Sequence, residues 1–130
     1  MSSAPTAIHI ACLCAAWCRT CDGYRPVFEQ VLALLLATHP ALRAHWIDVE
    51  DEAELLGEFD IETFPTVVVI DAQAVRFAGP LTPQPETLQR VLRAALASPE
   101  NTGSGALPEA VQAFAQRLRS QAGVGSPAAS

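Results

Sequence analysis

A continuous run of β-branched residues, Thr66–Ile70 (TVVVI), constrains the fold of this chain more than any other segment. β-Branched side chains favour extended backbone, and a run without polar alternation is typical of a strand that is buried on both faces. Such a strand needs cover above and below its sheet. The sequence therefore predicts an α/β domain with helices on both faces of the sheet.

The N-terminal third predicts a strand followed by a helix. Ile8–Cys14 has the pattern of a short, largely buried strand. From Cys18 onward, apolar residues recur at spacings of three and four until His39-Pro40, which predicts a helix that ends there. Pro26 lies inside this pattern and is expected to kink the helix.

The next elements complete the order β-α-β-α-β-β-α over residues 8–97. Ala44–Val49 is a second strand candidate, and Asp51–Glu58 predicts an acidic helix. After the β-branched run, a turn leads into Val75–Ala78, the predicted antiparallel partner. Pro85 precedes a helix whose apolar stripe comprises Leu88, Val91, Leu92, Ala95 and Leu96. We expect these elements to form a central four-stranded mixed sheet in one domain, residues 1–97.

A helical extension is predicted after this domain. Residues 98–107 have the composition of a linker, and residues 108–121 place Leu107, Val111, Phe114 and Leu118 on one face of an amphipathic helix. We expect this helix to dock on the domain, with a partner protein as the alternative. Residues 122–130 are predicted to form a flexible tail.

Composition excludes several classes of protein. The chain has 130 residues, of which 50% are hydrophobic and 17% charged, so a disordered chain is excluded. Its longest strongly apolar run, Val31–Ala37, is far short of the roughly 20 residues that cross a bilayer. The net charge is −6, and all eight basic residues are arginines with no basic stripe among them. We therefore expect neither a membrane nor a nucleic acid as partner.

Two further expectations follow from where charges stand. Eight of the 14 acidic residues lie between Asp48 and Glu62, which predicts a solvated helix face. No basic residue precedes the apolar segment Ala7–Trp17, so we expect a cytoplasmic protein and no secretory signal. In a reducing compartment, clustered cysteines favour redox catalysis or metal binding over structural disulfides.

The four cysteines lie together in the segment Cys12–Cys21 (CLCAAWCRTC). At the junction of a strand and a helix, the first sulfur of a Cys-x-x-Cys pair meets the unpaired N–H groups of the helix, which favour a thiolate. Cys18 is thus the predicted nucleophile. Cys21, one helical turn later, is the predicted resolving thiol that closes a disulfide with Cys18. The same spacing also makes half of a zinc site.

Three separated landmarks resemble the thioredoxin family. They are the segment Ala16–Cys21 (AWCRTC), Pro26 in the following helix, and Phe64-Pro65-Thr66 before a β-branched strand. The resemblance covers roughly residues 8–97 and implies a thioredoxin fold that lacks the family's usual first strand and helix.

The resemblance also implies roles for individual residues. Trp17 is the aromatic residue beside the active site, and Pro65 follows a cis peptide bond, which X-Pro sequences tolerate at about 0.5–1 kcal/mol. The backbone of Phe64 would pair with an extended substrate, and Gly79 is matched to a glycine-containing loop that borders the same groove. No metal or organic cofactor is required, whereas a recycling reductase is implied.

Departures from the family pattern affect the same site. Arg19 and Thr20 stand between the cysteines in place of Gly-Pro, and the added cation is expected to favour the Cys18 thiolate and a more oxidising potential. Cys12 occupies the position of a buried aspartate that helps deprotonate the resolving thiol. Trp46 replaces the lysine that accompanies it. Proton transfer to Cys21 must therefore use water, Cys12 or another group.

Cys12 and Cys14 share one face of the predicted first strand. They are either small buried hydrophobic residues, or redox thiols, with Cys14 exchanging disulfides with Cys18 or Cys21, or metal ligands. The sequence as a whole predicts a thiol-disulfide oxidoreductase acting on protein or small-molecule disulfides in cell redox homeostasis. The alternatives are a non-catalytic thioredoxin-fold binding module and a thiol-rich metal-binding protein.

Overall fold

The computed structural model describes residues 7–15, 18–59, 61, 64–71, 75–82, 84–97 and 108–129, without the side chains of 122–129. The elements in chain order are β1 (Ile8–Cys14), α1 (Arg19–Leu36), β2 (Leu42–Asp48), α2 (Ala53–Leu56), β3 (Thr66–Ile70), β4 (Val75–Pro80), α3 (Pro85–Ala97) and α4 (Glu109–Ala129). Helix α1 continues through Pro26, and β1 and β3 have the bounds that the sequence predicts.

The four strands form one mixed sheet in the order β2-β1-β3-β4. Strand β1 pairs in parallel with β2 and antiparallel with β3, while β4 pairs antiparallel with β3. The β-branched strand β3 and the cysteine-bearing strand β1 therefore lie in the centre of the sheet. This arrangement confirms the predicted α/β architecture with a four-stranded mixed sheet.

Alternate residues of the central strands pack into two separate cores. We call the side that contacts α1 and α3 the α1 face, and its buried strand residues are Ile10, Cys12, Cys14, Leu42, Val67 and Val69. We call the opposite side, covered by α2 and α4, the α4 face, and its strand residues are Ala11, Leu13, Ile47, Val68, Ile70 and Val75. Because successive side chains of a strand point in opposite directions, each central strand contributes to both cores.

Helix α4 provides most of the cover on the α4 face. Its residues Val111, Phe114, Ala115 and Leu118 are buried, and Phe114 also packs on Phe59 with ring centroids 5.6 Å apart. Burial of a large apolar side chain contributes about 1.5–3 kcal/mol to the stability of the fold. The four-residue helix α2 is too short to cover this face alone. The expected docking of the C-terminal helix is thus observed within the chain.

The end of α4 differs from the sequence prediction. Helix α4 continues to Ala129, whereas the sequence predicts a helix only over residues 108–121. The flexible tail over residues 122–130 rested on the general fraying of chain termini and stays a prediction.

Arg117 connects α4 to the end of α2. Its Nε donates a hydrogen bond to the Leu55 carbonyl at 2.7 Å, and a terminal nitrogen donates to the Leu56 carbonyl at 2.9 Å. The guanidinium supplies a donor to the Leu55 carbonyl at the end of the helix, and it is a second donor to the Leu56 carbonyl, which also accepts from the Phe59 N–H at 3.0 Å. Gly57 follows with a φ of 59°, and a Cβ at this position would overlap the guanidinium.

We predict that Arg117→Ala lowers the free energy of unfolding by about 1–2 kcal/mol, because the Leu55 carbonyl loses its guanidinium donor and the Leu56 carbonyl keeps only the Phe59 N–H. Urea unfolding followed by circular dichroism measures this change. Arg93→Ala is the matched control, since Arg93 is exposed on α3, and it should change the free energy far less. Equal effects of the two substitutions would contradict the role of Arg117.

Two histidines meet on the α4 face where β1 and β2 pair. The Nδ1 of His9 lies 3.0 Å from the Nε2 of His45, and both rings are half-buried. Burial, with Arg43 and Arg119 nearby, lowers the pKa of His9. Burial and the neighbouring His9 lower the pKa of His45 to about 4. The folded protein therefore favours neutral imidazoles at this contact.

Acidification is expected to destabilise the fold through this pair. Between the ordinary histidine pKa of 6.5 and about 4, the unfolded chain binds protons that the folded chain excludes, so stability falls as the pH falls. We predict that the wild type loses about 2 kcal/mol more than His45→Gln between pH 7 and pH 4.5. Urea unfolding of both proteins at the two pH values measures the difference. Parallel losses would show that the pair does not titrate as described.

Candidate functional site

Cys18 stands at the N-cap of α1, where the sequence predicts the nucleophile. Its carbonyl accepts hydrogen bonds from the N–H groups of Cys21 at 3.1 Å and Asp22 at 3.3 Å, which begins the helix. Its thiol is free and partly exposed. Arg19 and Thr20 are exposed in the first turn. The strand-helix junction thus presents one sulfur toward solvent at a helix N-terminus.

The second cysteine of the motif has a different partner from the predicted one. Cys21 forms a disulfide with Cys14, with Cα atoms 5.8 Å apart, and the predicted Cys18–Cys21 disulfide is not formed in this structure. Cys14 is the last residue of β1 on the α1 face, and Cys21 is on the buried side of the first turn of α1. Packing of α1 on the strand brings the two sulfurs together, at a Cα separation typical of disulfides.

Cys12 is the other free cysteine, and it is fully buried on the α1 face. Burial raises its pKa to about 12, so the thiol stays protonated at neutral pH. Tyr24, one turn beyond Cys21 on α1, is also buried, and its hydroxyl has no hydrogen-bond partner among the described residues. Burial and nearby Cys12 raise the tyrosine pKa. This core therefore holds weakly acidic groups where the family pattern has a carboxylate.

A cleft of about 430 Å³ borders the disulfide on the side of β2. Its lining includes Cys14, Cys21 and Trp46, with four acidic residues at its edge: Asp22, Asp48, Asp51 and Glu52. Arg25 also lines the cleft, with its guanidinium 5.3 Å from the centre of the Trp46 ring. Most of these carboxylates are exposed, in agreement with the predicted solvated acidic face. The electrostatic environment of the cleft is negative.

The structure describes all three residues that the sequence assigns to a substrate groove, Phe64, Pro65 and Gly79. The Phe64-Pro65 peptide bond is cis, as the resemblance implies, and Phe64 packs against the same core cluster as Cys18. Gly79 is not in a loop: it lies within β4, paired with Val67, because the β3–β4 pairing continues to Pro80. The Leu81 N–H donates to the Pro65 carbonyl at 3.1 Å, which keeps this strand end beside the cis bond. Trp17 lies outside the described residues.

A metal site and a membrane span each require particular features of the described part of the chain. No three histidine, cysteine or acidic side chains there form a group that could hold a metal ion. Cys14 and Cys21 also cannot act as thiolate ligands while they are bonded to each other. None of the helices described combines the length and apolar character that crossing a bilayer requires.

Comparison with known proteins identifies the fold. The germline-specific thioredoxin Deadhead of Drosophila melanogaster superposes with a TM-score of 0.57 at 17% sequence identity, over 68% of this chain and 80% of that one. The chain has the thioredoxin fold. In this chain the fold has the sheet order β2-β1-β3-β4 and a cis bond before Pro65, and helix α4 follows it at the C-terminal end.

Sequence comparisons support the same family. No family model matches the chain. Protein disulfide-isomerase A4 of Bos taurus is 31% identical over 78 residues, and putative thioredoxin 2 of Streptomyces coelicolor is 32% identical over 66 residues. The matches cover 59% and 51% of this chain but only 12% and 46% of those relatives. The resemblance to the thioredoxin family is confirmed.

The sequence left a disulfide between Cys14 and Cys21 open as one alternative but favoured Cys18 as the partner of Cys21. The position of Cys14 was visible in the period of two that puts Cys12 and Cys14 on one face of β1. The spacing of the cysteines does not show how α1 packs on β1, and this packing places Cys14, not Cys18, opposite Cys21. The Cys-x-x-Cys spacing alone favoured the nearer partner.

We predict that the oxidised protein carries a Cys14–Cys21 link and a free Cys18. Iodoacetamide should alkylate Cys18 in the folded protein, and Cys12 only after unfolding, because Cys12 is buried. Trypsin cleaves after Arg19, so Cys21 leaves on a different peptide from the other three cysteines, and fragmentation locates the alkyl groups on the first peptide. An alkylated Cys14 with a linked Cys18 would contradict the pairing.

Proposed function

We propose that this chain is a thiol-disulfide oxidoreductase that exchanges disulfides with protein or small-molecule substrates and contributes to cell redox homeostasis. One observation carries the proposal: a partly exposed Cys18 at a helix N-terminus lies one turn from Cys21, whose sulfur is in a disulfide. The site thus places an accessible sulfur, which can attack a disulfide, near a second sulfur that is itself part of a disulfide.

In the reductase direction, the reaction starts from the form in which Cys14 and Cys21 are thiols. The Cys18 thiolate attacks one sulfur of the substrate disulfide, which forms a mixed disulfide and expels a substrate thiolate. Cys21 then attacks the Cys18 sulfur, so the substrate leaves as a dithiol and a Cys18–Cys21 disulfide remains. The substrate gains two electrons, and the two cysteines lose them.

The substrate is proposed to bind beside the cis peptide bond. Phe64 and Pro65 lie at the end of the sheet from which α1 starts, and Phe64 and Cys18 pack on one cluster. An extended segment with a disulfide fits this description better than a compact ligand. The chemistry needs no metal or organic cofactor, and a reductase or an external thiol must regenerate the dithiol.

The departures from the family pattern affect the expected rate of disulfide reduction. With Cys12 at the aspartate position and Trp46 at the lysine position, no carboxylate or amine of the usual kind assists Cys21 as it loses its proton. We therefore propose slower general disulfide reduction than in thioredoxins with the full pattern. Location in the cytoplasm remains a prediction from the sequence.

We predict that Cys18→Ser lowers the rate of disulfide reduction in a protein substrate such as insulin by about 100-fold or more, because it removes the attacking thiolate. Turbidity or thiol release with dithiothreitol as donor measures the rate. Cys21→Ser should instead accumulate a mixed disulfide at Cys18, visible by mass spectrometry.

Serine at position 18 with unchanged turnover would contradict the proposal. Absent turnover in the wild type, together with partner binding that survives Cys18→Ser, would favour a thioredoxin-fold binding module. About one equivalent of bound metal per reduced chain, lost on alkylation, would favour the metal-binding alternative.

A further inference from the structure

The sulfurs of the site differ sharply in their access to solvent. Cys14 and Cys21 are 1% and 2% exposed, so their disulfide is part of the core on the α1 face. Cys18 is partly exposed and also packs against the cluster that contains both sulfurs. It precedes Cys21 by three residues, the separation at which side chains of a helix are neighbours. Cys18 therefore contacts both the solvent and the core that surrounds the Cys14–Cys21 disulfide.

The other two approaches to the disulfide are unfavourable. Cys12 is on the same face, but its raised pKa of about 12 leaves almost no thiolate at neutral pH. The cleft beside the disulfide has four carboxylates at its edge against Arg25. An attacking thiol must arrive as an anion, and the carboxylates repel it.

We propose that Cys18 opens the buried Cys14–Cys21 disulfide by internal exchange, so that this disulfide stores an oxidising equivalent to which Cys18 gives access. The proposal deepens the proposed function, because it assigns regulation of the same site. In the form seen here, Cys21 is bonded to Cys14 and cannot resolve a mixed disulfide at Cys18. Exchange therefore decides whether the resolving cysteine takes part.

The exchange conserves electrons within the chain. The Cys18 thiolate attacks the Cys21 sulfur, the Cys18–Cys21 bond forms, and the Cys14–Cys21 bond breaks with Cys14 leaving as a thiolate. Cys14 then takes a proton and becomes a thiol. An external thiolate next attacks Cys18 and releases Cys21, and a second external thiolate attacks the mixed disulfide. The external thiols leave as a disulfide, and the protein retains its dithiol.

The Cys14 thiolate leaves inside a core, where an unsatisfied charge is costly. Tyr24 lies in the same cluster, and its buried hydroxyl makes no hydrogen bond to any described residue. A hydroxyl of this kind is a suitable donor for the outgoing sulfur.

The experiment measures how fast glutathione reduces the Cys14–Cys21 disulfide of the folded chain, with acid quenching, alkylation and mass mapping. Each rate is normalised to that of the same variant in denaturant. We expect Cys18→Ser to lower the normalised rate by about tenfold or more, because direct attack replaces intramolecular attack. Cys12→Ala removes the other free thiol and should leave the rate within about twofold.

Two results would overturn the proposal. If Cys18→Ser is reduced as fast as the wild type, the external thiol reaches the disulfide directly. If cysteamine, a cationic thiol, reduces Cys18→Ser as fast as the wild type while glutathione does not, the acidic cleft is the main approach and Cys18 is not needed.

A separate variant distinguishes this proposal from the proposed function. Cys14→Ser cannot form the buried disulfide, yet it keeps Cys18 and Cys21. Turnover of a protein disulfide by Cys14→Ser supports the proposed function whatever the exchange rates are. If neither Cys14→Ser nor the wild type turns over a protein disulfide, while Cys18→Ser still slows reduction of the buried disulfide, the oxidoreductase activity is refuted and the exchange stands.

Discussion

Cover on both faces of strand β1 is the constraint on which the rest of the structure depends. Its even-numbered residues Ile10, Cys12 and Cys14 enter the core beneath α1, and its odd-numbered residues Ala11 and Leu13 enter the core beneath α4. The alternation puts every sulfur of the strand on the side where α1 begins. A shift of one residue in the strand would move Cys14 to the opposite core and separate it from Cys21.

The second core explains the need for the C-terminal helix. With a four-residue α2, Val68 and Ile70 would face water if α4 were not docked. Polar contacts then fix its position: Arg119 donates from Nε to the Asp71 carbonyl at 2.8 Å, and Arg117 holds the end of α2. The Asp71 carboxylate in turn binds Arg76 at 2.9 Å. Helix α4 therefore covers this face of the sheet in the described part of the chain.

Much of this arrangement follows from the sequence, because it depends on local pattern. The bounds of β1 and β3 follow from apolar runs, and the cis bond at Pro65 follows from the family landmark. The Cys14–Cys21 pairing was one of the alternatives that the sequence left open, because it depends on how α1 packs on β1 and not on the spacing of the cysteines. Gly79 lies in a strand because β4 pairs with β3 as far as Pro80, and no turn signal in the sequence predicts how far this pairing extends.

The same packing gives a reason for chemistry without the usual carboxylate. A buried Cys21 thiol that must attack Cys18 first has to lose a proton, and Cys12, with a pKa of about 12, is a poor acceptor. A Cys21 sulfur that is already half of a disulfide needs no proton removal, because in exchange it is attacked and does not attack. In the proposed exchange, the Cys18–Cys21 bond therefore forms without a base for Cys21, whereas the resolution of a mixed disulfide by Cys21 still requires one.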